Sequence, residues 1–405
     1  MKIVYILTKF PCRSETFAVR EIEALRLLGF DITVLAASGQ DIAGCGVTTV
    51  KTFYRPQLFS AKGIFSLSYL CLRHPLGLCR LFCLILKLLR QCRREAITLL
   101  GNLHTVGYFA WRLKRGRISH IHAYFMSWPA LLGLALRVST GRQFSIGAHA
   151  RDIFVEEGAA ELKASRANFI RTCTRRGLRQ LQTLLPTRYH HKLFVVYHSM
   201  PIACGGINPA TLGEDQSKAD DIVVAVGRLV SKKGFANLVR AFALLGEQRP
   251  NCKLIIAGDG PERERLAELA EELSIQDQVQ LLGWLPCDAA LRLIRSATVL
   301  AAPAVIDDDG DSDGIPNVIL EAFVSGTAIV ASRLSSISEA VRHGWTGLLV
   351  EPGNIEQLAW ALKRLLEDSG LRSRLSQRAY EVAVQRFDTT KNVRSLAELF
   401  RKEYR

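Results

Sequence analysis

The sequence predicts an α/β protein with two doubly wound parallel sheets facing a cleft, and three observations lead there. The chain has 405 residues, more than one hydrophobic core usually organises. Short apolar, β-branched runs alternate with stretches of helical periodicity along most of it, the pattern of strands covered by helices on both faces. Pro and Gly interrupt that alternation near 197–208, "YHSMPIACGGIN", and divide it into two similar halves.

The first half opens with strand "IVYILT", helix "ETFAVREIEALRLLG" and strand "ITVLAA". It resumes with strand "HIHAYF", a helix starting near Pro129, strand "QFSIGAH" and strand "KLFVVYHS". The second half holds strands "IVVAVGRL", "KLIIAGDG", "VQLLGW", "TVLAAP" and "AIVAS". Helices over 235–248, 261–273, 287–296, 317–326 and 336–343 alternate with them. The expected domains are an N-terminal Rossmann-like unit over 1–196 and a C-terminal one over 206–385. A C-terminal helix over 386–405 is expected to pack back toward the first unit.

Residues 60–117 break the rhythm. They carry 11 Lys and Arg against one acid, Glu95, and their uncharged runs fall short of the 18–20 apolar residues a membrane span needs. Apolar positions at helical spacing with interleaved Arg and Lys fit an amphipathic insert on an anionic bilayer. They fit equally a pair of core helices with a basic outer face.

Charge is uneven on a larger scale. Residues 1–200 hold 29 Lys and Arg against 10 Asp and Glu, whereas residues 201–405 hold 24 against 28. The first half therefore points to an anionic surface or partner. Nucleic acid is disfavoured, because neither aromatic-basic interleaving nor a recognition-helix motif is present. Ten cysteines show no metal-binding spacing. With no recognisable export signal at the start, a cytoplasmic protein with reduced thiols is expected.

Two motifs carry candidate chemistry. In "AVGRLVSKKGF", Arg228 follows a buried strand and Lys232 and Lys233 lie in the next loop. Cations at the C-terminal end of a parallel strand can grip a diphosphate, although Lys-Gly loops are also common solvated turns. In "SDGIPNVILEAFVSGTAIVAS", Asp313 precedes the flexible Gly314, and a helix starts near Asn317 and Val318, whose N–H groups favour anionic oxygen. Glu321 lies one turn inside that apolar helix, where a carboxylate needs a partner. A vicinal diol of a ligand or a neighbouring Arg would serve.

Taken together, "VGRLVSKKGF", "IIAGDGPERERL", "LLGWLP", "SDGIPNVILEAFVSGTAIVAS" and "EAVRHGWTGLLVEPGN" occur in the order seen in family-4 retaining glycosyltransferases of the GT-B fold. The opening "FPCRSETFAVREIEALRLLGFDITVL" resembles the subgroup that assembles bacterial exopolysaccharides, including colanic-acid-type enzymes. The resemblance implies a nucleotide-sugar donor, UDP- or GDP-linked, held by the C-terminal domain, with no cofactor or metal required. It implies a glycan or lipid-linked acceptor on the N-terminal side, and a place on the inner face of the cytoplasmic membrane.

Residue by residue, the resemblance assigns Arg228 and Lys233 to the diphosphate, with Gly314, Asn317 and Val318 in the same donor loop. Asp313 and Glu321 match the family's two acids, the second on the ribose and the first near the transferred sugar. The first is usually Glu, so Asp313 is one methylene short, and Asp309 or Asp311 in "IDDDGDSDG" could substitute. In "SIGAHARDIF", His149 matches the catalytic-face histidine and Asp152 follows three residues on. Without the resemblance His149 would read as a structural imidazole. Ser14, Glu15 and His122 complete the acceptor-side candidates, Ser14 serving equally well as a plain helix cap. The rival reading is a membrane-associated scaffold that keeps the fold without turnover.

Overall fold

The structure is a computed structural model that describes residues 1–13, 15–39, 50–155, 158–206, 221–246, 249–308, 310, 312–334 and 336–402. It forms two compact units. The first comprises Met1–Val196 and the chain from Val393 onward, and the second Tyr197–Asn392.

The first unit runs β1 (Lys2–Lys9), α1 (Thr16–Leu27), β2 (Asp31–Ser38), β3 (Lys51–Tyr54), α2 (Ala61–Arg73), α3 (Pro75–Gln91), α4 (Arg93–Gly101), α5 (Leu103–Gly116), β4 (His120–Ala123) and α6 (Trp128–Thr140). It continues through β5 (Gln143–Ala148), α7 (Ala150–Phe154), α8 (Ala160–Arg166), β6 (Phe169–Thr172), α9 (Arg175–Leu184) and β7 (Leu193–Val195). The seven strands are parallel in the order β3-β2-β1-β4-β5-β6-β7.

The second unit holds β8 (Ile222–Val226), α10 (Phe235–Gly246), β9 (Lys253–Ala257), α11 (Arg263–Glu272), β10 (Val279–Gly283), α12 (Cys287–Ser296) and β11 (Val299–Ala302). There follow α13 (Asn317–Val324), β12 (Ala328–Ser332), β13 (Leu348–Val350), α14 (Ile355–Glu367), α15 (Ser369–Arg386) and α16 (Thr389–Lys402). Its six strands are parallel in the order β10-β9-β8-β11-β12-β13. Val393, Leu396, Ala397 and Phe400 of α16 join the core of the first unit beside Tyr5 and Phe169.

Both sheets reverse their winding once, between β1 and β4 in one unit and between β8 and β11 in the other. Loops leaving two such strands diverge to opposite faces and open a crevice at their carboxyl ends. The strands beside these points are apolar runs: Ile3 to Leu7, Val223 to Ala225 and Val299 to Ala301 are all buried.

One expectation changes. The helix expected over 336–343 is only a one-turn 3-10 segment, Ile337–Glu339. The Thr346 hydroxyl explains the stop, since it accepts from the Arg342 N–H at 2.8 Å and donates to Ala340 O at 3.3 Å. In effect a side chain has replaced the next helical turn. The insert is helical as α2 to α5, and its exposed side chains include both apolar ones, Leu72 and Leu76, and basic ones, Arg73, Arg80 and Lys87.

Candidate donor and acceptor sites

In the second unit the two loops at the switch point meet. The loop after β8 carries Arg228 to Gly234, and the loop after β11 carries Pro303 to Pro316. Gly234 sits at their crossing with φ +68°, and a Cβ there would lie 2.0 Å from Pro303 O, so only glycine lets the loops approach this closely. Val305 N–H donates to Lys232 O at 2.9 Å and ties the same crossing. On the other side, Gly258 lies so near Gly227 that a Cβ would come within 1.8 Å of its carbonyl oxygen.

This crossing brings Lys233 to Asp313, eighty residues away. Lys233 Nζ donates to Asp313 Oδ2 at 2.6 Å, and Lys232 Nζ lies 3.8 Å from Oδ1. All three side chains are 12–18% exposed, so solvent screens the pair only partly. An anion therefore already sits in the grip of the lysines. Arg228 on the same loop is exposed.

Helix α13 begins at Asn317 after Pro316, and Ile319 N–H already bonds Pro316 O at 3.0 Å. The N–H groups of Asn317 and Val318 precede the first such bond and carry the positive end of the helix dipole. Within α13 only Asn317 and Glu321 escape full burial. They stand four residues apart, on one face, while Val318, Ile319, Leu320, Ala322, Phe323 and Val324 are buried in the core. Glu321 is thus half-buried at the edge of the helix, while its neighbours Leu320 and Ala322 are in the core. Gly314 lies in the same partly exposed loop as Asp313.

In the first unit, His149 ends β5 and caps α7, and its N–H donates to Asp152 Oδ2 at 3.1 Å. Phe125, Tyr124 and Phe17 surround the imidazole with ring centroids 4.8, 5.1 and 5.8 Å away. Asp152 also accepts from Ser127 N–H at 3.2 Å, so it bridges the ends of β4 and β5. Burial pushes its carboxyl up to about 6, against the pull of its backbone donors at Met126 and His149.

The acceptor-side expectation for His122 is corrected by its position. It is fully buried, with Nδ1 2.8 Å from Ser145 Oγ, and Ser145 in turn lies 2.7 Å from His120 Nε2. Both imidazoles pack edge-on against Phe400. This is a polar thread through the core, out of reach of a large substrate. Glu15 stands at the N-cap of α1, and Ser14 lies outside the described residues, as do Asp309 and Asp311.

One cluster has no local signal in the sequence. Glu21 of α1 accepts from Tyr5 Oη at 3.0 Å, from Arg171 Nη2 at 2.6 Å and from Tyr124 Oη at 3.3 Å. All four residues are buried. Burial pushes the Glu21 carboxyl up while Arg171 and the tyrosine hydroxyls pull it back. Removing Glu21 or Arg171 would strand the other as a buried charge, typically at a cost of about 3–5 kcal/mol. The cluster braces α1 against the sheet.

Residues 213–382 match the family model described as glycosyl transferases group 1. The matched stretch covers most of the second unit. Curated relatives are similar to this chain over part of its length. An uncharacterized glycosyltransferase of Methanocaldococcus jannaschii is 33% identical over 42% of this chain and 41% of its own length. The lipopolysaccharide core biosynthesis glycosyltransferase LpsE of Rhizobium meliloti is 33% identical over 43% of this chain and 49% of its own. The matched chain thus spans less than half of these relatives. Among solved structures, Anabaena HepE, in complex with UDP and glucose, superposes with a TM-score of 0.73 over 99% of this chain and 100% of HepE. Their 18% identity makes this a likeness of fold, the two-unit parallel α/β architecture of GT-B glycosyltransferases. The stretch that matches the family model contains the loop crossing and α13.

Proposed function

We propose that the chain is a family-4 retaining glycosyltransferase that moves a sugar from a UDP- or GDP-linked donor to a glycan or lipid-linked acceptor in bacterial cell-surface polysaccharide assembly. The observation that carries this reading is the loop crossing, where two lysines already hold a carboxylate at the foot of a helix N-terminus. A diphosphate presents the same anionic oxygens with more charge. In this reading Lys233 and Arg228 bind it, and the Asn317 and Val318 N–H groups beside Gly314 add donors. Glu321 accepts hydrogen bonds from the ribose diol, reached from the open stripe it shares with Asn317. No cofactor or metal is required.

Retention is proposed to follow a front-face displacement. The bond from the anomeric carbon to the diphosphate oxygen breaks, the acceptor oxygen bonds to that carbon on the same face, and its proton passes to the departing phosphate. Arg228, Lys233 and the helix dipole stabilise the charge left on the diphosphate, where fixed donors act most strongly. Asp313 is assigned to the transferred sugar, His149 to turnover, and Asp152 and Glu15 to the acceptor side. The UDP and glucose bound by HepE and the polysaccharide roles named for LpsE support the donor and acceptor classes. An anionic membrane surface on the cytoplasmic side is proposed as partner through the basic insert.

Calorimetric titration with UDP and GDP tests the site. Arg228→Ala and Lys233→Ala are each expected to weaken binding by about 1.5–3 kcal/mol, one charge-assisted contact. Unchanged affinity in both variants refutes the assignment.

A further inference from the structure

We propose that the open face of α3 inserts its apolar side chains into the headgroup boundary of an anionic bilayer. The inference deepens the reading that the chain works at an anionic membrane surface, and it rests on that reading. Helix α3 is apolar on both sides. Leu81, Leu84, Ile85 and Leu88 face the core of the first unit. On the opposite side Leu76, Phe82, Leu86 and Leu89 are 74%, 50%, 60% and 44% exposed. A helix that is hydrophobic all round is ordinarily buried all round. Eleven of the nineteen exposed large apolar side chains among the described residues lie between Leu58 and Leu100, so exposed apolar surface is concentrated in this segment.

Charge selects the occupant. Arg80 and Lys87 are exposed along the border of this stripe. The lone acid of residues 60–117, Glu95, is paired with Lys163 and accepts from Ala159 N–H, which leaves the surrounding field positive. A basic-rimmed apolar stripe without acids suits anionic headgroups above acyl chains. Its 17 residues extend about 25 Å, enough to lie along the surface. No single helix among the described residues is long and apolar enough to cross the bilayer, and α2 meets α3 at a bend of 103°.

Flotation with vesicles of phosphatidylcholine and phosphatidylglycerol, or phosphatidylcholine alone, tests the inference. The variants are Leu76→Ser/Phe82→Ser/Leu86→Ser/Leu89→Ser and Arg80→Glu/Lys87→Glu, each checked for wild-type circular dichroism and melting temperature as evidence of folding. Cys79 and Cys83 on the same helix are exposed and free, as is Cys204 in the second unit. They report through a water-soluble maleimide. Wild type is expected to float with the anionic vesicles and to stay partly bound in 1 M salt. Cys79 and Cys83 become protected while Cys204 still reacts, and both variants lose at least tenfold in binding. Flotation that the serine variant retains, with both thiols still reactive, overturns insertion and leaves only charge attraction. Protection without vesicles, in a chain that sediments as a dimer, assigns the face to a second copy. No flotation of wild type overturns the membrane reading and the inference with it.

Discussion

Replacing Asp313 by Asn has a sign that only the loop crossing explains. In the structure Lys233 donates to Asp313 at 2.6 Å, so a diphosphate must displace this carboxylate to reach the lysine. A charge-assisted hydrogen bond is worth about 1.5–3 kcal/mol. The pair is 13–18% exposed, and asparagine still accepts a weaker bond, so the lower end of that range applies. Asp313→Asn should therefore bind UDP or GDP about tenfold more tightly, since about 1.4 kcal/mol is one decade. The free nucleotide lacks the sugar, so the assay isolates the diphosphate. With a complete donor, turnover should fall, because the variant loses the carboxylate assigned to the sugar. Isothermal titration of wild type, Asp313→Asn and Lys233→Ala, each at two salt concentrations, reads the first effect. Weaker or unchanged nucleotide binding in Asp313→Asn would refute the idea that the carboxylate stands where a phosphate goes.

Three further outcomes follow from the same geometry. Glu321→Gln should weaken donor binding about tenfold with the melting temperature held, because the side chain sits on the open stripe of α13; a variant that simply unfolds would make Glu321 structural. His149→Ala should lower kcat far more than nucleotide affinity, whereas equal losses in rate and stability would leave the imidazole a strand-end cap. Burial pushes His120 down to about 4 from its ordinary 6.5. The unfolded chain therefore takes up the proton first, and stability is lost as pH falls from about 6.5 to 4. The upper limit is about 3 kcal/mol, and urea midpoints across that range should show a shallower slope for His120→Gln; identical slopes would contradict it.

Much of the second unit was legible because each local signal agreed with the next. Strands such as Val223–Ala225 are buried on both faces and read as plain apolar runs. The glycine at 234 and the proline at 316 mark where loops cross and a helix starts. The partial exposure of Glu321 is masked in the sequence by its buried neighbours Leu320 and Ala322. The spacing of four to Asn317 was the available clue to an open stripe. The 336–343 segment looked helical since Ile337, Ala340 and Val341 repeat at helical spacing and are indeed buried. Thr346, outside the window, ended the turn. Pairings such as Glu21 with Arg171, 150 residues apart, depend on which strands neighbour one another, and no local pattern encodes that. The Lys233–Asp313 contact falls between these cases: both residues stood out as candidates, but only the sheet order showed that they meet.

The most direct test of the donor site is release of free nucleotide from a panel of UDP- and GDP-sugars by the purified chain, with anionic vesicles and a lipid-linked acceptor supplied. One donor should be consumed with the sugar's anomeric configuration kept in the product, and Lys233→Ala and Arg228→Ala should each lose at least tenfold in kcat/KM. A chain that binds no nucleotide and consumes no donor, or one whose turnover is indifferent to both substitutions, would contradict the account.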